Sequence, residues 1–124
     1  YNATQEQTDT IKKLFEELGL TIIIEERLIS AGMALASCGI AYAFRYMRAA
    51  IEGAVELGLY PDQAKVIEMQ TLKGAVALLE ANNSHPEAEI DKVTTPGGFT
   101  IKGLNAMEEA GFTMAVIKGL KASV

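Results

Sequence analysis

A proline and two adjacent glycines interrupt an otherwise helical sequence at residues 94–104, TTPGGFTIKGL. Pro96 fixes the backbone angle φ, while Gly97 and Gly98 permit backbone conformations that other residues rarely adopt. Because glycine has no side chain, a ligand could press directly against this backbone. A helical pattern resumes at once, and unpaired N–H groups at a helix start, together with the helix dipole, favour an anion such as a carboxylate or phosphate.

Five residues of this segment are candidate ligand contacts: Thr95, Gly97, Gly98, Phe99 and Thr100. The expected anion donors are the N–H groups of Gly98, Phe99 and Thr100. The hydroxyl groups of Thr95 and Thr100 can donate or accept further hydrogen bonds. A plain helix–turn–helix connection, with glycine ending one helix and threonine capping the next, explains the same residues. On these residues alone, both interpretations stay open.

Other residue types with catalytic potential are isolated in the sequence. His85 is the only histidine and, standing before Pro86 at a helix start, is interpreted as a surface residue. Cys38 is the only cysteine, so we expect no metal site and no internal disulfide, which fits a reducing compartment such as the cytoplasm. The sequence also lacks the glycine-rich fingerprints G-x-G-x-x-G and G-x-x-x-x-G-K-[ST] of nucleotide-binding loops.

The composition is that of one ordinary globular domain. The chain has 124 residues, of which 49% are hydrophobic and 22% charged, with a net charge of -5. Its 11 basic residues are scattered, so no nucleic-acid partner is expected. The uncharged run at residues 28–44 is short for a bilayer span of about 20 residues and contains small polar residues, which favours a buried helix pair over a membrane segment.

Apolar residues recur at helical spacing along most of the chain. The pattern predicts an all-α bundle of about six to seven helices, with Ser84 capping the fifth and a break near residues 37–39. The helix predicted over residues 40–57 carries small residues that favour close packing, including packing against a twin helix of another subunit. The predicted helices cover residues 4–18, 27–36, 40–57, 61–80, 84–93, 101–110 and 112–122.

One segment has strand character. Residues 20–26, LTIIIEE, contain three consecutive isoleucines, and a strand is predicted near residues 21–25. A single strand cannot satisfy its own backbone groups. Either another domain supplies the sheet, or a second copy of the chain does, or the segment is only extended.

The order of these segments resembles one protein family. Residues 85–112, HPEAEIDKVTTPGGFTIKGLNAMEEAGF, resemble without a gap the signature region of pyrroline-5-carboxylate reductases, which contains His-Pro and then Thr-Ser-Pro-Gly-Gly-x-Thr. Residues 34–44, ALASCGIAYAF, and 56–64, ELGLYPDQA, resemble two further family segments. The sequence departs from the family at Ile40, where proline is usual, at Thr95, where serine is usual, and at Phe99, whose bulk would narrow the site.

The resemblance implies a fold like the C-terminal domain of 6-phosphogluconate dehydrogenase. Residues 1–26 would be the tail of a missing nucleotide-binding domain, which would explain the isolated strand, and residues 27–124 a helical dimerisation and substrate-loop domain. The chain would form a homodimer or a higher oligomer, without a membrane or nucleic acid. The chain begins with Tyr1 rather than Met, which also suggests a piece of something longer.

For function, the resemblance implies reduction of 1-pyrroline-5-carboxylate to L-proline. The backbone of Gly98, Phe99 and Thr100 would hold the carboxylate of this small imine, and the Thr100 hydroxyl would reach the ring nitrogen. NADPH or NADH would serve the intact enzyme, while this chain alone would bind no cofactor and be inactive. Two alternatives stay open: a non-catalytic helical homodimerisation module, or a domain of a related imine or β-hydroxyacid reductase.

Overall fold

The structure, a computed structural model, describes residues 3–124. These residues divide into two compact units, one ending at Ser30 and one spanning Ala31–Val124. The beginning of the predicted nucleotide-domain tail, Tyr1 and Asn2, lies outside the described residues. The division of the chain at residues 26 and 27 stays a prediction.

The first unit contains helix α1 (Gln5–Glu16), which begins with a reciprocal cap. Thr4 Oγ1 accepts the N–H of Gln7 at 3.2 Å, and Gln7 Oε1 accepts the N–H of Thr4 at 2.9 Å. Each side chain therefore satisfies a backbone donor that the helix itself cannot satisfy. The sequence predicted this helix correctly, with an end two residues later than the observed one.

The isoleucine run of the first unit forms no strand. Residues 20–25 have no regular secondary structure, and no β-strand occurs anywhere in residues 3–124. The strand predicted near residues 21–25 is therefore wrong for this chain, although the all-α class is confirmed. High β propensity cannot make a strand without a neighbour to receive its backbone hydrogen bonds. Ile22 and Ile23 instead stand 70% and 63% exposed.

The helical path from residue 26 to residue 56 is longer than the sequence predicts. A 3₁₀ turn (Glu26–Leu28), helix α2 (Ile29–Met33) and a π-helical turn (Ala34–Cys38) lead into helix α3 (Gly39–Glu56). The predicted break at residues 37–39 is wrong, because Cys38 and Gly39 both keep right-handed helical backbone angles. A π-helical turn accommodates its extra residue inside the helix, so the chain does not need to leave it.

Four more helices complete the second unit. Pro61 and Pro86 stand in the first turns of α4 and α5, where a missing N–H removes no helical hydrogen bond. Residues with positive φ, Asn83 at 44° and Gly111 at 84°, separate α4 from α5 and α6 from α7. The four helices are α4 (Pro61–Asn82), α5 (Pro86–Val93), α6 (Phe99–Glu109) and α7 (Phe112–Lys121).

Two sets of contacts hold α3 in place. Helix α3 packs against α4, while α7 packs against α6 and the π-helical turn. The Tyr42 hydroxyl donates to the carbonyl oxygen of Gly119 at 3.3 Å and also hydrogen-bonds with Ser123 Oγ. The rings of Tyr46 and Phe112 meet edge to face with their centroids 6.3 Å apart. These contacts fix the end of α7 and the α6–α7 corner against α3.

The described residues bury very little apolar side chain. Only Ala34 and Ala64 are buried hydrophobic residues, each 3% exposed. The helix pair predicted to be buried at residues 28–44 is not buried within this chain, since Leu35 and Phe44 remain 68% and 64% exposed. A domain of this size ordinarily hides roughly two thirds of its surface on folding. The exposed apolar faces therefore require cover from outside the chain.

One helical stretch, Glu26–Glu56, is long and apolar enough to cross a membrane when judged by length and composition alone. Its most apolar window has a mean hydropathy of 1.4, and 6% of that window is buried. Core helices of soluble proteins satisfy the same criterion. The stretch is thus weak evidence for a membrane and direct evidence for an apolar surface that needs cover.

Candidate functional site

The Pro-Gly-Gly segment forms a tight turn between α5 and α6. Thr94 closes the end of α5, because its N–H and its Oγ1 both donate to the carbonyl oxygen of Asp91, at 3.3 and 3.1 Å. The N–H of Gly98 then donates to the carbonyl oxygen of Thr95 at 2.9 Å. Between them Gly97 has a φ of 71°, which is the angle that a type II turn needs at its third residue.

The two glycines of the turn are needed for different reasons. Gly97 adopts a left-handed backbone that strains any residue with a side chain, although the space around it is open. Gly98 has ordinary backbone angles, φ -67° and ψ 171°. A Cβ at position 98 would, however, lie 2.5 Å from Thr95 Oγ1 and 3.0 Å from the Thr95 carbonyl oxygen. A side chain at position 98 would therefore require Thr95 to shift.

Helix α6 begins without a side-chain cap. Gly98 is the N-cap residue, and no side chain accepts a hydrogen bond there. The first N–H groups of an α-helix have no acceptor within the helix. The N–H groups of Phe99, Thr100 and Ile101 are therefore directed out of the N-terminal end of α6. The set of anion donors predicted from the sequence, Gly98, Phe99 and Thr100, therefore changes by one residue. The Gly98 N–H already donates to Thr95, and the Ile101 N–H in the first turn of α6 takes its place.

The start of α6 is open to solvent in this chain. Phe99 is 93% exposed, and Thr95, Gly97 and Thr100 are exposed as well. A positive charge stands close by, since Lys102 Nζ lies 5.9 Å from the centroid of the Phe99 ring. The sequence analysis missed Lys102, although its place three residues after Phe99 puts it on the same helix face. The structure brings the five candidate residues together in one turn, and four of them, Thr95, Gly97, Phe99 and Thr100, are exposed.

A carboxylate ties the helix before the turn to the end of α4. Glu89 Oε1 accepts hydrogen bonds from Lys92 Nζ at 2.7 Å, Ser84 Oγ at 2.5 Å and Asn82 Nδ2 at 3.2 Å. The hydrogen bond from Lys92 and then that from Ser84 lower the pKa of Glu89 to about 2. The sequence analysis also missed this cluster, for which the Glu89–Lys92 spacing was the available signal.

The role predicted for Ser84 is wrong, because His85 caps α5. His85 Nδ1 accepts the N–H of Glu87 at 3.2 Å, while the Ser84 hydroxyl donates to Glu89 instead. The only histidine therefore has a structural role at the start of a helix.

Cys38 lies half-buried in the π-helical turn. Within residues 3–124, no group of three or more His, Cys, Asp or Glu residues is placed to hold a metal ion.

An apolar groove of about 670 Å³ lies between α3 and the α6–α7 corner. Tyr42 and Tyr46 of α3 line one side, Phe112 and Val116 of α7 the other. Burial, and secondarily the carboxylate of Glu68, raise the pKa of the Tyr46 hydroxyl. Apart from Arg45, the lining residues are apolar or aromatic, which suits apolar side chains, and none of the five candidate residues of the turn lines the groove.

Comparison with known proteins gives one consistent result. The family model described as pyrroline-5-carboxylate reductase dimerisation matches residues 26–124. Pyrroline-5-carboxylate reductase 1 of Dictyostelium discoideum is 51% identical over 115 residues, which are 93% of this chain. A Coxiella burnetii pyrroline-5-carboxylate reductase structure superposes with a TM-score of 0.91 at 29% identity, covering 98% of this chain. A Plasmodium falciparum pyrroline carboxylate reductase with NADP bound superposes with a TM-score of 0.89 at 25% identity, again over 98% of the chain.

The chain spans less than half the length of each of these proteins. It covers 21% of the Dictyostelium discoideum reductase, 45% of the Coxiella burnetii chain and 47% of the Plasmodium falciparum chain. The similarity therefore concerns one portion of those longer proteins, and that portion is helical in this chain.

Proposed function

The chain belongs to the pyrroline-5-carboxylate reductase family through that family's dimerisation domain, and from this membership we propose that it is part of an enzyme reducing 1-pyrroline-5-carboxylate to L-proline. One observation carries the proposal: the chain places an uncapped helix start, with open N–H groups at Phe99 and Thr100, within the segment that the family model matches. The activity is proposed for the longer enzyme, not for these 124 residues alone.

We propose that the domain works as a homodimer. The matching family model describes a dimerisation domain, and the structure offers a reason for one. Ala34 and Ala64 are the only buried hydrophobic residues among those described, so a single copy leaves its apolar helix faces in water. Covering those faces with a second copy would supply the missing core, since apolar burial is the main favourable term in folding and association.

The residues of this chain would act by binding and orientation. The carboxylate of the substrate would accept the N–H groups of Phe99 and Thr100, with the positive end of the α6 dipole and the Lys102 ammonium adding attraction. The Thr100 hydroxyl would hydrogen-bond the ring nitrogen, which carries the proton of the iminium form. Holding the ring in one orientation removes much of the entropic cost of reaching the transition state.

The cofactor is expected to lie against another part of the longer enzyme. NADPH or NADH would supply the hydride that the C=N carbon accepts. The sequence of this chain contains no dinucleotide fingerprint, so its residues do not fit a phosphate-binding site of that kind. The exposed position of Thr100 fits a site that is closed by a surface from outside this chain.

We also propose a cytoplasmic enzyme that uses neither a nucleic acid nor a membrane partner. A net charge of -5 with scattered basic residues gives no surface for a phosphate backbone. The single Cys38 fits a reducing compartment.

The test is turnover by the longer enzyme that carries this domain. Purified enzyme should oxidise NADPH or NADH only when pyrroline-5-carboxylate is present, and proline should accumulate in equal amount. Turnover of another cyclic imine or of a β-hydroxyacid in its place would favour the related-reductase alternative. No turnover of any of these by a folded dimer would favour the non-catalytic module.

A further inference from the structure

We propose that Glu89 is a positioning residue for the substrate-binding turn, because it fixes α5 to the end of α4 and so sets where the turn at residues 94–98 lies. The inference rests on the proposed function and adds to it a residue that touches neither substrate nor cofactor. Its evidence is a set of hydrogen bonds, joined by short backbone segments, that runs from α4 to the start of α6.

The first part of the series joins both sides of the α4–α5 corner. Asn82 is the last residue of α4, Ser84 lies in the connection, and Lys92 lies one turn further along α5 than Glu89. All three donate to the same oxygen, Glu89 Oε1, at 3.2, 2.5 and 2.7 Å. The Glu89 side chain is only 15% exposed while that of Lys92 is 58% exposed, so water screens the Ser84–Glu89 hydrogen bond less than the Lys92–Glu89 ion pair.

The second part of the series joins α5 to the turn. The carbonyl oxygen of Asp91, two residues after Glu89, accepts both the N–H and the Oγ1 of Thr94. The next residue, Thr95, accepts the N–H of Gly98 with its carbonyl oxygen. Hydrogen bonds and the short backbone segments between them therefore connect α5 to the turn, and we expect a shift of α5 to move the N–H groups at the start of α6.

Packing alone does not hold α5 in place. The helix has eight residues, and none of them is buried. A helix of two turns is marginal by itself, so its position depends on the ties at its ends. Glu89 supplies the tie at the α4 end, which explains why a carboxylate outside the site would influence substrate binding.

The experiment compares Glu89→Gln with Glu87→Gln in the intact dimeric enzyme. Glu87 is a matched control because it lies on the same helix, is exposed, and has no side-chain hydrogen bond among the described residues. Two kinds of measurement are made on each variant. The first is amide hydrogen exchange at residues 94–101, apart from Pro96. The second is steady-state kinetics, which gives the KM for pyrroline-5-carboxylate, the KM for NADPH and kcat. The exchange measurement needs no turnover.

We expect Glu89→Gln to speed exchange of the Thr94 and Gly98 amides by about tenfold, because a neutral amide oxygen accepts these hydrogen bonds more weakly than the carboxylate does. The KM for pyrroline-5-carboxylate should rise by about as much, with the KM for NADPH unchanged, because only the substrate contacts the turn. The control should change neither by more than about twofold.

Unchanged exchange at residues 94–98 in Glu89→Gln would overturn the proposal. Faster exchange in α3 and α4 as well would also overturn it, because Glu89 would then support the whole domain rather than the turn. If Glu89→Gln does not fold, Ser84→Ala removes one donor from the same oxygen and is judged by the same two criteria. An inactive parent enzyme would refute the proposed function, whereas the exchange result would still decide the role of Glu89.

Discussion

The carbonyl oxygen of Thr95 accepts the N–H of Gly98 at 2.9 Å, and a Cβ at position 98 would lie 2.5 Å from Thr95 Oγ1. Thr95 therefore both closes the turn and disfavours a side chain at its fourth residue, Gly98. The consequence for binding is that the open N–H groups begin at Phe99, one residue later than the sequence suggested.

Replacing Gly98 by alanine tests this relationship. Gly98→Ala would bring a Cβ to 2.5 Å from Thr95 Oγ1, and the turn would have to open. We expect amide exchange at positions 98–100 to rise by about tenfold or more, corresponding to about 1.4 kcal/mol. In the double variant Thr95→Ala, Gly98→Ala the nearer clash is gone, and exchange should fall back part of the way. An alanine at position 98 that leaves exchange unchanged would show that the turn tolerates a side chain.

A charge placed in the apolar groove tests the proposed homodimer. Ala49 lines the groove between α3 and α7, and Ala49→Glu would put a carboxylate where a second copy is expected to pack. Burying a carboxylate is costly even where Arg45, one turn earlier on α3 and also lining the groove, can pair with it. The variant should therefore be mainly monomeric by light scattering at micromolar concentration, where we expect the parent chain to be dimeric. Ala81→Glu, at an exposed position near the end of α4, is the control. A dimeric Ala49→Glu would mean that the groove is not at the interface.

The low pKa of Glu89 predicts the pH at which the α4–α5 corner loosens. The folded pKa of about 2 lies below the usual 4.5, so the stabilisation from the ionised form is complete above about pH 4.5. This stabilisation is lost as the pH falls from about 4.5 through the folded pKa of about 2. The carboxyl resonance of Glu89 should therefore titrate near pH 2 in the folded domain, and the amide resonances of residues 94–98 should move with it. A midpoint near 4.5 would show that Lys92 and Ser84 do not hold the carboxylate.

The 124-residue chain by itself should be catalytically inert. Its sequence has no glycine-rich nucleotide loop, and the start of α6 faces open solvent. Mixing the purified chain with pyrroline-5-carboxylate and NADPH should give no oxidation of NADPH above the rate without protein. Steady turnover would mean that these residues bind both the substrate and the cofactor. It would contradict the proposal that another part of the longer enzyme binds the cofactor.

Most of the fold could be predicted from the sequence because local signals mark its helices. Pro61 and Gly111 lie at observed helix boundaries. Each α-helix of the described residues overlaps a segment that the spacing of apolar residues predicts to be helical. The two wrong predictions of secondary structure, the strand near residues 21–25 and the helix break at residues 37–39, have a common cause. Both depend on hydrogen bonds that local propensity does not determine. The isoleucine run lacks a neighbouring strand, and the small residues at Cys38 and Gly39 continue a helix through a π-helical turn.

The candidate site was less predictable than the fold. Residue types placed the turn at Pro96–Gly97–Gly98, because only glycine tolerates the φ of 71° and proline favours the preceding turn position. They could not show that Thr95 occupies the Gly98 N–H, which depends on the detailed turn geometry. Nor could they show that donors from two elements converge on Glu89, since that needs the α4–α5 corner in three dimensions.

The most direct test of the substrate site is the kcat/KM of the longer enzyme for pyrroline-5-carboxylate, measured for the parent, for Thr100→Ala and for Thr8→Ala, a control at a half-buried position of α1. Thr100→Ala should cost about 1–3 kcal/mol in transition-state stabilisation, which is a decrease in kcat/KM of about fivefold to 150-fold. The reason is that the ring nitrogen of the substrate would lose its hydrogen-bond partner in the closed site. Thr8→Ala should match the parent. Equal kcat/KM values for all three would contradict the claim that the start of α6 binds the substrate.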